Sequence, residues 1–122
     1  MTLKRVDVAD TFARFREPWS PKIVGELNGQ MVKLVRFQGE FVWHQHEHED
    51  EMFLVIAGEF RMELRDGNID LKPGQFVVVP RCVEHRPVAE EEVHVLLFEP
   101  AGTLNTGNVR DERTVLEPER LG

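Results

Sequence analysis

The sequence predicts an all-β fold, and three observations carry that expectation. Short apolar runs rich in Val, Ile and Phe recur at residues 31–37, 41–46, 52–57, 59–65, 75–79 and 93–98, the spacing of strands in a sandwich or barrel. Seven prolines and nine glycines are spread between these runs as punctuation rather than gathered in a linker. Only residues 10–16 look helical, with Asp10 as a candidate cap and Phe12 and Phe15 three apart. A chain of 122 residues without repeats or low-complexity tracts is expected to fold as a single domain over 1–122.

Taken in order, residues 1–15 mix charge with apolar groups and hold no uninterrupted apolar stretch, so they do not read as a secretory signal and the cytoplasm is the expected location. Phe41-Val42-Trp43-His44-Gln45-His46 reads as a strand, followed by a very polar turn at residues 47–50. Phe60, Met62 and Leu64 alternate with Glu59, Arg61, Glu63 and Arg65, and Asp66-Gly67 supplies a hairpin turn into residues 68–71. Residues 52–57, 76–79 and 95–98 are apolar at every position, so both of their faces need cover. One face would line the interior and the other would pack on a second subunit, which predicts a homodimer. The alternative is that the segment up to Pro21 folds over that outer face. Glu90, Glu91 and Glu92 read as a solvated turn, and residues 110–122 as a charged, partly mobile end.

Twenty-two acidic against fifteen basic side chains give a net charge of −7, which disfavours nucleic acid and anionic membrane surfaces as partners. No apolar run approaches the roughly 18–20 residues that span a bilayer. The single cysteine, Cys82, cannot form an intrachain disulfide and reads as an inert small side chain. Of five histidines, three fall within five residues, at His44, His46 and His48.

His44 and His46, two apart on a strand, project from one face and can converge on one point. Glu51 opens the next apolar strand, and His85 follows the run that ends at Pro80. Neutral imidazoles with an anionic oxygen suit one divalent transition metal, such as Fe, Mn, Ni or Zn. Three His and one Glu would leave open positions on a six-coordinate ion, as a catalytic or ligand-binding site requires. His48 reads as a solvated surface histidine or, second, as a base beside the metal ligands, His94 as either a structural histidine or a proton donor in the pocket, and Glu49 as a second proton-transfer candidate. Phe37, Val42, Phe53 and Phe98 are candidate pocket residues.

Gly39, His44-x-His46, Glu51 and Gly58 resemble the first motif of the cupin superfamily, and Gly74, Pro80 and His85 resemble its second motif. The resemblance covers residues 38–100, and residues 86–105 are similar to small single-domain cupins of the mannose-6-phosphate-isomerase-like type. The sequence departs from the pattern in the four residues between Gly39 and His44, in Cys82 at a motif glycine, and in Ala89 at the final motif asparagine. The resemblance implies an antiparallel jelly-roll β-barrel, commonly dimeric, with His44, His46, Glu51 and His85 as metal ligands. It also implies a small metalloenzyme that acts on an oxygen-chelating small molecule by dioxygenase-like oxidation or, second, by isomerisation. A non-catalytic module that binds or senses a small ligand through the metal is the alternative from another class, and a metal-free structural barrel is the third.

Overall fold

The computed structural model describes residues 3–121; Met1, Thr2 and Gly122, the extreme ends of the expected domain, lie outside the described residues. Among the described residues there are one short helix and eight strands: α1 (Val8–Phe12), β1 (Lys22–Leu27), β2 (Gln30–Glu40), β3 (Glu51–Ala57), β4 (Phe60–Leu64), β5 (Gly67–Leu71), β6 (Phe76–Val79), β7 (His85–Pro100) and β8 (Glu119–Arg120). Among the described residues no helix is long and apolar enough to cross a membrane.

The spine is β7, whose sixteen residues serve three neighbours. Along one edge it pairs antiparallel with β2, and along the other with β4 near its start and with β3 near its end. The sheet therefore curls around an inner face built from Val35, Phe37, Phe53, Val55, Val93, Val95 and Leu97, all buried. Among the described residues it curls without closing: β6 pairs only with β3, and residues 41–50 make no ladder, so the expected jelly-roll β-barrel takes an open form.

Several boundaries differ from the sequence reading for identifiable reasons. The helix begins earlier than residues 10–16, because Asp7 and not Asp10 caps it, its carboxylate accepting from the Asp10 N–H at 2.9 Å. The β4–β5 turn falls at Arg65 and Asp66, with Leu64 paired to Gly67. Strand β1 went unrecognised because Lys22, Gly25 and Glu26 break its apolar pattern. Its signal is the Asn28-Gly29 turn into β2, where both residues have positive φ, the requirement of a tight hairpin. Glu90, Glu91 and Glu92 lie within β7 and not in a turn, yet they step out of the ladder, since β2 passes from Val93 at Phe37 to Ala89 at Gly39. Gly58 serves that bulge: it sits at φ +81°, and a Cβ there would stand 2.9 Å from the Glu92 carbonyl oxygen.

On the outer face of the sheet Phe12 and Phe15 pack with Val24 and Leu34, and Ile56 and Leu96 rest against them. The N-terminal segment thus covers part of the face that the sequence reading gave to a second subunit. Phe76 and Val78 on the edge strand β6 remain 59% and 55% exposed.

Candidate metal centre

His44, His46, Glu51 and His85 come together, each offering one ligand atom, and these atoms all lie within 4.8 Å of one another. Glu51 is the first residue of β3 and His85 the first of β7, so the sheet presents both at one end of the inner face. The expected strand over 41–46 is not a ladder strand. His44 makes a single antiparallel bridge to His85, its N–H donating to the His85 carbonyl at 3.1 Å and its carbonyl accepting at 2.9 Å. The backbone bridge brings the two imidazoles to a centroid separation of 4.2 Å, and His46 lies 5.0 Å from His44.

The tautomers follow from the hydrogen bonds. Nδ1 of His44 lies 2.9 Å from the Val42 carbonyl, and Nδ1 of His85 lies 2.9 Å from the Val83 carbonyl. A carbonyl only accepts, so both Nδ1 atoms carry the proton and both Nε2 lone pairs are free for a cation. His46 Nε2 and His85 Nε2 stand 2.8 and 3.4 Å from Glu51 Oε1. None of these three atoms has a hydrogen-bond partner, although all are buried. Unpartnered buried imidazole and carboxylate atoms are costly unless a cation satisfies them, so the residues fit a divalent metal.

Electrostatics point the same way. Burial, reinforced by the His85 charge, lowers His44 to about 4, so its imidazole is neutral at neutral pH. Burial alone would raise Glu51, but the closely placed imidazoles of His46 and His85, with the neighbouring Glu99 carboxyl, outweigh it and hold the carboxyl well below its usual range. Glu99 is pushed well up, by burial first and then by the Glu51 charge. The strand register explains the contact: Met52 pairs with Phe98 in the β3–β7 ladder, so Glu51 and Glu99 face each other one step on. Lys33 Nζ closes the group, 2.7 Å from Glu99 Oε2 and 3.3 Å from the Thr103 carbonyl, wholly inside the protein.

Residues 33–99 match the model of the Cupin domain family. The chain belongs to the cupin family. SchB of Streptomyces halstedii is 31% identical over 100 residues, covering 78% of this cupin and 72% of SchB. YdbB of Bacillus subtilis is 34% identical over 64 residues, 52% of this chain and 57% of YdbB, so this match spans little more than half of that relative's length. A cupin-2 domain protein from Shewanella frigidimarina superposes with a TM-score of 0.77 at 42% identity, covering 78% of this chain and 93% of that one. Hydroquinone 1,2-dioxygenase PnpCD and a sugar phosphate isomerase from Silicibacter pomeroyi are each 19% identical, with TM-scores of 0.65 and 0.55. They cover 84% and 64% of this chain and 80% and 54% of their own, a likeness of fold alone.

Beside the four candidate ligands of this cupin lies a small apolar cavity of about 30 Å³, bordered by His44 and Glu51 and walled by Trp19, Phe37, Phe41, Phe53 and Leu97. Two of the expected pocket residues, Phe37 and Phe53, are in its wall. Val42 packs on the core without lining the cavity, and Phe98 lies on the outer face of β7 opposite Val32 and Met52. His94 also lies on the outer face, stacked on Phe12 at 4.2 Å, and does not border the cavity. Glu49 Oε1 is 3.9 Å from His46 Nδ1, beyond hydrogen-bond distance, and it does not border the cavity. His48 is a surface histidine, its side chain 79% exposed.

The sequence reading missed Lys33 and Glu99, and also Trp19 and Asn105, which line the cavity. Lys33 and Glu99 were legible in principle, since each shares the inward phase of an apolar strand. Cys82 occupies the motif glycine by adopting φ +69°, and its N–H donates to the His46 carbonyl at 2.8 Å while its side chain is exposed. A side chain therefore tolerates the left-handed turn that glycine favours.

Proposed function

We propose that this cupin is a small metalloenzyme whose substrate chelates the metal through two oxygens and rests an apolar or aromatic body against the adjoining aromatic wall. The observation that carries this reading is the cavity wall: four aromatic rings stand beside His44 and Glu51, and no lysine or arginine is among the residues that line it. A phosphorylated sugar would bring a dianion into that wall without a cationic partner, so dioxygenase-like oxidation is favoured over isomerisation of a sugar phosphate. Adding both atoms of dioxygen to the substrate also needs no external reductant. A bound divalent metal would supply Lewis acidity and, if redox-active, one-electron chemistry with dioxygen.

The protein's own residues supply orientation and dryness. His44, His46 and His85 would hold the cation, and Glu51 would offset part of its charge. Trp19 stacks on Phe37 and Phe41 at 4.7 and 4.6 Å and shields the cavity from water. The half-exposed apolar face around Phe76 and Val78 belongs, in this reading, to the contact with a second copy.

Oxygen uptake and product formation test the reading, with Fe, Mn, Ni or Zn supplied in turn and a panel of diketones, hydroxy-ketones, catechols and aldose phosphates. The expected result is oxygen uptake with a diketone, hydroxy-ketone or catechol, abolished in Glu51→Ala, whose metal affinity falls by more than about 100-fold. Turnover confined to aldose phosphates would overturn the substrate class. Binding without turnover under every metal would favour the sensing module.

A further inference from the structure

The histidine pair is held by a segment far along the chain. Residues 41–50 have no ladder neighbour apart from the His44–His85 bridge, which occupies one edge of the backbone. Gln45 presents its peptide groups to the other edge. There its N–H donates to Asn108 Oδ1 at 2.9 Å, and its carbonyl accepts from the Asn108 N–H at 3.1 Å. Between the two metal histidines, therefore, one residue's entire backbone hydrogen bonding is supplied by Asn108.

Gly107 makes the approach possible. It adopts φ +56°, and a Cβ there would collide with the Gln45 carbonyl oxygen and stand 3.1 Å from Cδ2 of the His44 imidazole itself. The turn that presents these two residues is braced from within. The Gly107 N–H donates to the Leu104 carbonyl at 2.9 Å. The Thr106 hydroxyl, fully buried, donates to the Val109 carbonyl at 2.6 Å and meets the Thr114 hydroxyl at 2.8 Å. This turn lies beyond residue 99, where the match to the family model ends.

We propose that Gly107 and Asn108 are the positioning residues of the metal centre: their turn replaces the missing strand neighbour of residues 44–46 and sets where His44 and His46 stand relative to Glu51 and His85. The inference rests on the metal-centre reading above and adds to it a second, non-motif half of the scaffold. A hydrogen bond to a flexible segment fixes it only if the partner is itself fixed, and the braced turn meets that condition.

Cobalt(II) titration of the full-length protein against a competing chelator, with the visible absorption of the bound ion recorded, tests this directly. Asn108→Ala removes the acceptor of the Gln45 N–H and is expected to weaken cobalt binding about tenfold and to alter the absorption bands, while Asn108→Asp, which keeps an acceptor oxygen, stays within about threefold of wild type. Gly107→Ala pushes on Gln45 and His44 and is expected to lose about 100-fold. If that variant does not fold, the Asn108 pair decides alone. Wild type that binds cobalt while Asn108→Ala binds equally and with the same spectrum overturns the positioning role and leaves the metal centre standing. Wild type that takes up no cobalt, like a His44→Ala control, overturns the metal centre and the positioning role together.

Discussion

On the inner face of β7, Val93, Val95, Leu97 and Glu99 are at most 5% exposed, whereas His94, Leu96 and Phe98 on the outer face of the same strand are only half-buried. The inner face is enclosed by the curl of the sheet itself. The outer face depends on α1 and the segment after it, which cover Leu34 and Leu96 but stop short of Phe76 and Val78. Polar residues meet different conditions on the two sides. Glu99 has no solvent to turn to and must be paired, and its pair with Lys33 sits against the metal residue Glu51. His94 can be satisfied by stacking on Phe12 and by its remaining contact with water. A charge on the inner phase is therefore a statement about the site, and an imidazole on the outer phase is one about packing.

The largest effect expected from this contrast is on the inner face. Lys33→Met leaves Glu99 buried beside Glu51 without its cation, and urea denaturation should show a loss of about 3–5 kcal/mol. Replacing both partners, Lys33→Met with Glu99→Leu, should recover most of that loss, because a buried polar pair is exchanged for apolar groups. A single Lys33→Met variant as stable as wild type would mean that the inner face is wetter than its burial implies.

A smaller effect follows from His44. Its folded value of about 4 lies below the ordinary histidine value of about 6.5, so between those pH values the unfolded chain binds the proton more tightly. Stability of the metal-free protein should rise with pH across that window, and be lost as pH falls from about 6.5 to 4, by of order 2–3 kcal/mol. Denaturation midpoints from pH 4 to 7.5 check this, and His44→Gln should flatten the profile. His94, lowered by burial and then by the Arg36 charge, adds in the same direction.

The smallest effect belongs to the outer face. His94→Leu forfeits one stacked contact and should cost about 1 kcal/mol in thermal or urea denaturation, with cobalt affinity unchanged. A changed metal affinity in that variant would join the two faces that burial separates.

Three of the candidate metal ligands were legible because their placement is local, and the fourth, His85, because its motif was recognisable. His44 and His46 are two apart and Glu51 opens the next apolar run, so short-range periodicity was enough to aim those three together, whereas His85, which follows the turn after Pro80, was placed by its resemblance to the second cupin motif. The same logic erred over residues 41–46: extended conformation was readable, but whether a neighbour pairs with it is a long-range matter. The Lys33–Glu99 pair joins positions 66 apart, and Asn108 reaches Gln45 across 63. No local pattern announces such contacts, because the separation in sequence is closed only when the whole sheet curls. By itself, then, the sequence determined which faces are apolar, where the strands break and which side chains can ligate a cation, all consequences of period and residue chemistry. Only the tertiary structure decided that the sheet stays open, that the N-terminal segment shares the outer face, and that a turn near the end of the chain grips the histidine pair. Those outcomes depend on which distant backbone edges satisfy one another's hydrogen bonds, a choice made between segments and not within them.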